Sequence, residues 1–327
     1  MAVTTPAQLP RTRLALLPTP LVEAPALAEA LGLAGPLFVK RDDLTGFAMA
    51  GNKARQLEML IAEAVDRGAD VFLTGGSVGS NFVAAASAAA AYAGLGCVLV
   101  IAGPPRSRSA HPNLAAAMAW GAQVRFTGEQ DRGSVDTLLP TVARELADAG
   151  ATVHLAPRGG ADATGASGFR LAADELADQL EGLCASPPVV VVATGSGGTQ
   201  AGLVVGAVAH GRRFRVAGAS VSRPPAEATA RVRELAGKVA DRCGEPRPVD
   251  DDIQVVDARG PGHGVPSTQG AAAARIALCA AGLVLDPVYG AKALAALPSL
   301  VGAGPAVFWV TGGLADAVAG MQAQGSP

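Results

Sequence analysis

The sequence predicts an α/β protein built on mostly parallel, twisted sheets covered by helices, and three observations carry that expectation. Short, uniformly apolar runs such as Val189-Val190-Val191-Val192 alternate with stretches of helical period. Strands buried on both faces read as continuous apolar runs, and helices between them make the pairing parallel. Glycine-rich turns follow several of the runs, where an open parallel sheet places its ligands. Half of the 327 residues are hydrophobic and only 17% are charged, which excludes intrinsic disorder. That length suggests two domains or one large α/β unit.

The elements follow in order. A strand ends at Lys40, beside Arg41-Asp42-Asp43. From Lys53 to Arg67, apolar residues at Leu57, Leu60, Ile61, Ala64 and Val65 keep the offsets of an amphipathic helix. Asp70 leads into a strand at Val71–Thr74. A helix at Phe82–Tyr92 is followed by a strand at Cys97–Ile101. Then come a helix near Pro112–Trp120, a strand at Val124–Phe126 and a helix near Thr137–Ala149. The Val189 strand precedes a helix from Thr199, then a strand at Val216–Val221. Finally Ala306–Val310 forms a strand that feeds a helix after Gly313. The loops after Thr74, Ala193 and Val310 are therefore the places to seek a site, at the carboxyl ends of strands.

Composition narrows the function. A net charge of −2 with 4% aromatics supplies neither a basic field nor stacking platforms for nucleic acid. Cys97, Cys184, Cys243 and Cys279 are scattered without a C-x-x-C pair, which fits a reduced, cytoplasmic setting rather than a disulfide framework. Thr74–Pro105 carries no charge, but its glycines break it into loop, helix and strand, unlike a membrane span. Pro18 and Pro20 interrupt the apolar run that a signal peptide would need. His111, His154, His210 and His263 lack metal-ligand spacing, so no metal is expected.

Two chemical signals stand out. After the Val189–Ala193 strand comes Thr194-Gly195-Ser196-Gly197-Gly198-Thr199, then a helix. Such a turn offers backbone N–H groups and the positive helix end to a phosphate. It is neither a dinucleotide fingerprint, since Gln200 stands where the third glycine belongs, nor a P-loop, since no Lys-Ser/Thr follows. The second signal is lysine, of which there are only Lys40, Lys53, Lys238 and Lys292 against 22 arginines. Lysine alone of the two can lose its proton and form a Schiff base. Lys238 lies in a polar segment, Lys40 suits a structural ion pair and Lys292 sits in the first turn of a helix. Lys53, after Gly51-Asn52, begins a helix, where the ammonium is disfavoured.

Lys40-Arg41-Asp42-Asp43-Leu44, Gly51-Asn52-Lys53 and Ser77-Val78-Gly79-Ser80-Asn81 together resemble the D-cysteine desulfhydrase / 1-aminocyclopropane-1-carboxylate deaminase family. The resemblance continues through Thr194–Thr199, Gly262-His263-Gly264, Asp286-Pro287-Val288-Tyr289 and Thr311-Gly312-Gly313. It implies the tryptophan-synthase-β-like fold, with a large domain of residues 1–50 plus 160–327 and a smaller inserted α/β domain of residues 51–159. It implies pyridoxal 5'-phosphate as cofactor, a small amino acid as substrate and a homodimer. Lys53 would hold the cofactor as a Schiff base, Asn81 would contact its ring, and Thr194, Gly195, Ser196, Gly197, Gly198 and Thr199 would grip its phosphate. Ser80 would meet the substrate carboxylate or move a proton, and Tyr289 would assist on the substrate side. The implied reaction is β-elimination or ring opening to a 2-keto acid and ammonia.

Departures from the family accompany these matches. Phe82 replaces a polar residue, His263 replaces a tyrosine, and Ala161-Asp162 replaces Ser-Asn. Gly290 stands where a Glu or Thr usually faces the pyridine nitrogen. Thr311 is then expected to serve that nitrogen. His263 is expected either to aid the leaving group, since an imidazole titrates near neutrality, or simply to fill the tyrosine's space. Other readings are a diverged biosynthetic enzyme of the same cofactor, such as one catalysing β-replacement, and a catalytically silent cofactor-binding protein. Gly75-Gly76-Ser77-Val78-Gly79 also matches a G-x-S-x-G elbow, which would make Ser77 a hydrolase nucleophile served by His263.

Overall fold

The computed structural model describes residues 9–324. Its first sheet has the order β1-β2-β10-β7-β8-β9, formed by β1 (Leu21–Glu23), β2 (Leu37–Arg41), β10 (Ala306–Val310), β7 (Val189–Thr194), β8 (Arg215–Ser220) and β9 (Gln254–Asp257). Only the edge pair β1–β2 is antiparallel; every other pair is parallel. The second sheet, wholly parallel, has the order β5-β4-β3-β6, from β5 (Gln123–Phe126), β4 (Gly96–Ile101), β3 (Val71–Gly76) and β6 (Val153–Leu155). The α/β class with two parallel, helix-covered sheets is the one expected. The outer ends of the two segments assigned to the larger domain, 1–8 and 325–327, lie outside the described residues.

Each apolar strand serves two cores at once, because alternate side chains point to opposite faces. In β7, Val190 and Val192 join Phe169, Val204, Phe214 and Trp309 on one face. Val189 and Val191 join Leu27, Leu294, Leu297 and Phe308 on the other. The first face is covered by α6 (Ala163–Gln179), α7 (Gly198–Ala209) and α8 (Pro225–Cys243). The second is covered by α1 (Pro25–Ala30), α9 (Thr268–Ala281) and α10 (Gly290–Leu300). Around the smaller sheet, α2 (Lys53–Asp66), α3 (Asn81–Tyr92) and α4 (Pro112–Ala119) pack on one side, with Leu57, Phe72, Phe82 and Leu99 at the centre. On the other side α5 (Gly133–Asp148) brings Val135, Leu139 and Val142 against Leu73 and Val100.

Glycine permits the closest crossings. A Cβ at Gly202 of α7 would stand 2.2 Å from the Ala166 carbonyl oxygen of α6, and one at Gly206 would stand 2.1 Å from the Ala173 Cβ. Among the described residues, no helix is long and apolar enough to cross a membrane.

Beneath the site the two sheets are tied by a buried polar network. Arg55 of α2 donates to both carboxylate oxygens of Asp42 at 2.8 Å, and Trp309 Nε1 donates to Asp42 at 2.8 Å. Glu175 of α6 accepts from Arg55 and from Lys40, and Lys40 also donates to the Thr19 carbonyl at 2.7 Å. Lys40 is thus an ion-paired structural residue.

Candidate active site

The loops after β3, β7 and β10 meet, as the strand pattern predicts, in one cavity of about 370 Å³. Lys53, Ser80, Asn81, Thr194, Gly195, Ser196, Gly197, Thr199, His263, Tyr289 and Thr311 all line it. Gly198, the first residue of α7, stands just behind this wall and is not part of the lining.

Lys53 is the first residue of α2. Its Nζ donates to Asn52 Oδ1 at 3.0 Å, and Asn52 Nδ2 donates to Thr199 Oγ1 at 3.1 Å. Asn52 thereby joins the lysine to the glycine-rich loop. Enclosure disfavours the charge and lowers the Lys53 ammonium to about 8, although Asp286 and Asp42 pull it upward. An amine so placed is within reach of its reactive, unprotonated form. Gly51 makes the position possible. Its φ is +55°, and a Cβ there would lie 2.2 Å from the Thr311 carbonyl oxygen, which accepts from Asn52 N at 3.0 Å.

The glycine-rich loop fits a phosphate. Gly197 caps α7 in the left-handed region, at φ 94°, and no side chain caps the helix. The first-turn N–H groups therefore have no intrahelical partner. A Cβ at Gly195 would stand 3.1 Å from the Tyr289 ring, so glycine keeps the backbone open to the cavity. Of the three loop hydroxyls, Thr194 is committed: it belongs to β7 and donates to Gln200 Oε1 at 2.8 Å.

Asn81 is held by its neighbours. It donates to Asp316 at 2.7 Å and accepts from Asn113 at 3.0 Å. Ser80 is the N-cap of α3, its hydroxyl accepting from Val83 N at 3.4 Å. Phe82 is buried against the Gly159-Gly160 turn; a Cβ at Gly160 would lie 2.6 Å from its ring. The polar residue expected there from the family is thus replaced by an apolar wall.

His263 stands edge-on to Tyr289, with ring centroids 6.2 Å apart. Burial, with Arg132 as the next contributor, lowers the imidazole to about 4. That lies below the near-neutral range expected for an imidazole acid and is the direction in which a space-filling His263 would be shifted. Enclosure raises Tyr289 to about 12, with Asp286 acting the same way. Lys292, also in the first turn of its helix as expected, donates to the carbonyls of Arg259 and Gly262 at 2.6 and 2.8 Å. It pins the loop that carries His263. Thr311 borders the cavity, while Gly290 lies 3.1 Å, by its would-be Cβ, from Asp286 Oδ2.

Sequence reasoning gave no role to Asn52, Asp286, Asp316 or the arginines of this cavity. Asp286 caps α10 by accepting from the N–H groups of Val288, Tyr289 and Gly290 at 3.0, 2.6 and 2.8 Å. Burial raises it to about 6, against the pull of those bonds. Its signal was the Asp-Pro-Val-Tyr run itself, an acid one turn before a helix. Arg132, Arg158, Arg223 and Arg231 also line the cavity, and no spacing in the sequence joins them. Ser77 lies in the same wall, but no hydrogen bond among the described residues links it to a histidine.

Known proteins resemble this chain along nearly its whole length. A family model described as "Pyridoxal-phosphate dependent enzyme" matches residues 12–312. D-cysteine desulfhydrases of Salmonella paratyphi B and Salmonella newport are 34% identical over 316 residues, covering 94% of this chain and 94% of theirs. A solved structure described as an ACC deaminase homologue superposes with a TM-score of 0.85 at 31% identity, covering 95% of this chain and 94% of its own. A fungal L-serine ammonia-lyase from Rhizomucor miehei shares the fold, with a TM-score of 0.68 at 20% identity, covering 95% of this chain and 98% of its own.

Proposed function

Because the chain belongs to the pyridoxal-phosphate-dependent enzymes, we propose that it is a lyase that deaminates a small amino acid to a 2-keto acid and ammonia. The chemistry is β-elimination of the kind a D-cysteine desulfhydrase performs, or ring opening of the kind a 1-aminocyclopropane-1-carboxylate deaminase performs. The observation that carries this reading is the Lys53 amine, lowered to about 8, opening into the same cavity as a phosphate-shaped helix start. Relatives at 34% identity across the chain favour turnover over silent binding, and a hydrolase built on Ser77 has no support.

The residues present fit the cofactor. Lys53 would hold its aldehyde carbon, and Asn81, fixed by Asp316 and Asn113, would lie along its ring. The amides of Gly195–Thr199 with the hydroxyls of Ser196 and Thr199 would take its phosphate. Once bound, pyridoxal phosphate supplies an electron sink for the bonds at the substrate's Cα. The chain supplies the rest. In the β-elimination reading, Lys53 Nζ would be the base for the substrate's Cα proton; a cyclopropane substrate has no Cα proton, and Ser80 would act there instead. The Ser77–Asn81 turn, with Ser80 at the head of α3, receives the substrate carboxylate. Tyr289 holds its proton up to about pH 12 and stands as hydrogen-bond donor on the substrate side. Neutral His263 orients it from the edge. Thr311 would partner the pyridine nitrogen, and Phe82 would form the apolar wall that keeps water from this side of the cavity. Four unpaired cysteines support a reducing, cytoplasmic setting, and the family resemblance supports a homodimer.

Replacing Lys53 with Ala is the test. The wild type should bind cofactor with a visible absorbance, yield a borohydride-trapped adduct on Lys53, and release keto acid from D-cysteine or 1-aminocyclopropane-1-carboxylate. Lys53→Ala should lose all three. An adduct surviving on Lys40 or Lys292 would overturn the assignment.

A further inference from the structure

Four arginines line the cavity, and their bonding divides them. Arg223, after β8, and Arg231, in α8, reach the glycine-rich loop. Arg223 donates to the Gly195 carbonyl at 2.6 Å, and Arg231 donates to the Ala161 carbonyl at 2.8 Å. The Arg231 stem would lie 3.5 Å from a Cβ at Gly197. Arg231 is already paired with Glu234, 3.3 Å away, so Arg223 is the charge that a phosphate dianion on this loop would balance. Arg158 is neutralised by Asp136, 2.6 Å away.

Arg132 is the remaining charge. It is half-buried at the head of α5, and among the described residues it makes neither an ion pair nor a side-chain hydrogen bond. Its charged neighbours in the cavity are Arg158 and Arg223, which repel it, while the exposed Asp131 beside it opposes them only weakly. It shares the cavity wall with Tyr289 and His263, the proposed substrate side of the site. A half-buried guanidinium crowded by like charges is costly to keep without an anion. Neither anionic group already accounted for removes that cost. A bound phosphate would be met by Arg223 at the glycine-rich loop, and the substrate's α-carboxylate is proposed for the Ser77–Asn81 turn.

We propose that Arg132 receives a second anionic group carried by the substrate, so that this enzyme acts on α-amino acids bearing a sulfonate, sulfinate or phosphate ester at the β carbon. The proposal rests on the lyase reading of the Lys53 site. Elimination from such a substrate balances with water as the only other reactant. The Cα proton passes to Lys53 Nζ, and the Cβ–S or Cβ–O bond breaks with its electron pair leaving on sulfite, sulfoxylate or phosphate. Water then converts the unsaturated amine to pyruvate and ammonia. Neutral His263 is consistent with anions that depart without a strong acid beside them.

The experiment uses the cofactor-loaded enzyme and both enantiomers of cysteate, cysteine sulfinate and O-phosphoserine beside cysteine and serine, with pyruvate as product. At least one doubly anionic substrate should exceed its uncharged counterpart in kcat/KM by about tenfold or more, the scale of a charge-assisted hydrogen bond. In Arg132→Leu that ratio should collapse toward one, and Arg132→Lys should restore part of it. A second readout needs no turnover: 3-sulfopropionate should bind more tightly than propionate by calorimetry, and Arg132→Leu should abolish the difference. Equal preference for charged and uncharged substrates in the wild type would overturn the proposal. So would equal losses for cysteine and cysteate in the variant, which would place the α-carboxylate on Arg132. If the lyase reading itself failed, no amino acid would yield pyruvate, while the sulfopropionate titration would still report on Arg132.

Discussion

Lys53 differs from the chain's other lysines in surroundings rather than in chemistry. Lys40 is buried but surrounded by acceptors, Lys292 spends its protons on two carbonyls, and Lys238 pairs with Glu234 on the surface. Lys53 has one side-chain acceptor and a lowered ammonium. A nucleophilic amine must first lose its proton, so attachment of cofactor to the apoprotein should quicken as pH rises through about 8 and then level off. An ordinary lysine would keep gaining rate toward about pH 10.4. Because Asp286 holds the value up, Asp286→Asn should move the midpoint downward. Stopped-flow absorbance across pH 6–10.5 measures both, and a wild-type midpoint near pH 10 would refute the assignment. At this scale the sequence was legible where chemistry sits in a contiguous motif. Gly51-Asn52-Lys53 and Thr194–Thr199 declared themselves through glycine next to a functional group. The arginine group was not legible, because Arg132, Arg158, Arg223 and Arg231 come from four separate segments that only the fold brings together.

Elements were legible to the degree that their pattern was simple. Strands of the Val189 type, buried on both faces, read directly as apolar runs. Helix α6 did not, because Gly165 and Gly168 lower its helix propensity, and only packing reveals why they are there. At Gly168 a Cβ would lie 2.2 Å from the Arg55 carbonyl oxygen. Strand β6 was too short to announce itself, with three residues. Around Lys238 helix α8 reads as a polar segment, although its buried Val232, Leu235, Ala236 and Val239 keep helical spacing. The glycine crossings carry an expectation of their own. Gly202→Ala would press a methyl group into the Ala166 carbonyl and the Phe169 side chain, costing about 1–3 kcal/mol by overpacking. Gly237→Ala in α8 meets nothing within 4 Å and should stabilise by about 0.5–1 kcal/mol through helix propensity. Urea titrations should move the two midpoints in opposite directions with the slope unchanged.

At the scale of the whole molecule, a charged joint ties the two sheets together. Burial works to raise the Glu175 carboxyl, but bonds from Arg55 and Lys40 prevail and hold it at about 2. A carboxylate depressed in the folded state stabilises that state above its unfolded pKa and ceases to do so as pH falls through the folded value. The Glu175 contribution should therefore be complete above about pH 4.5 and fade toward pH 2. Thermal melts of wild type and Glu175→Gln should differ most above pH 4.5 and converge on acidification; a constant gap would mean that the joint does not titrate.

The partners of Asp42 in that joint have a further consequence. Its contact with Trp309 spans 267 positions of sequence, and the Thr311 carbonyl closes over Gly51 and Asn52 in the same layer. During synthesis, the segment bearing Lys53 leaves the ribosome long before the strand that completes its enclosure. Until that last strand arrives, the Thr311 carbonyl cannot close over Gly51 and Asn52, and the amine should behave as a solvated lysine. Acquisition of the cofactor is thereby deferred to the end of translation, and a chain interrupted before β10 is born without the means to keep it.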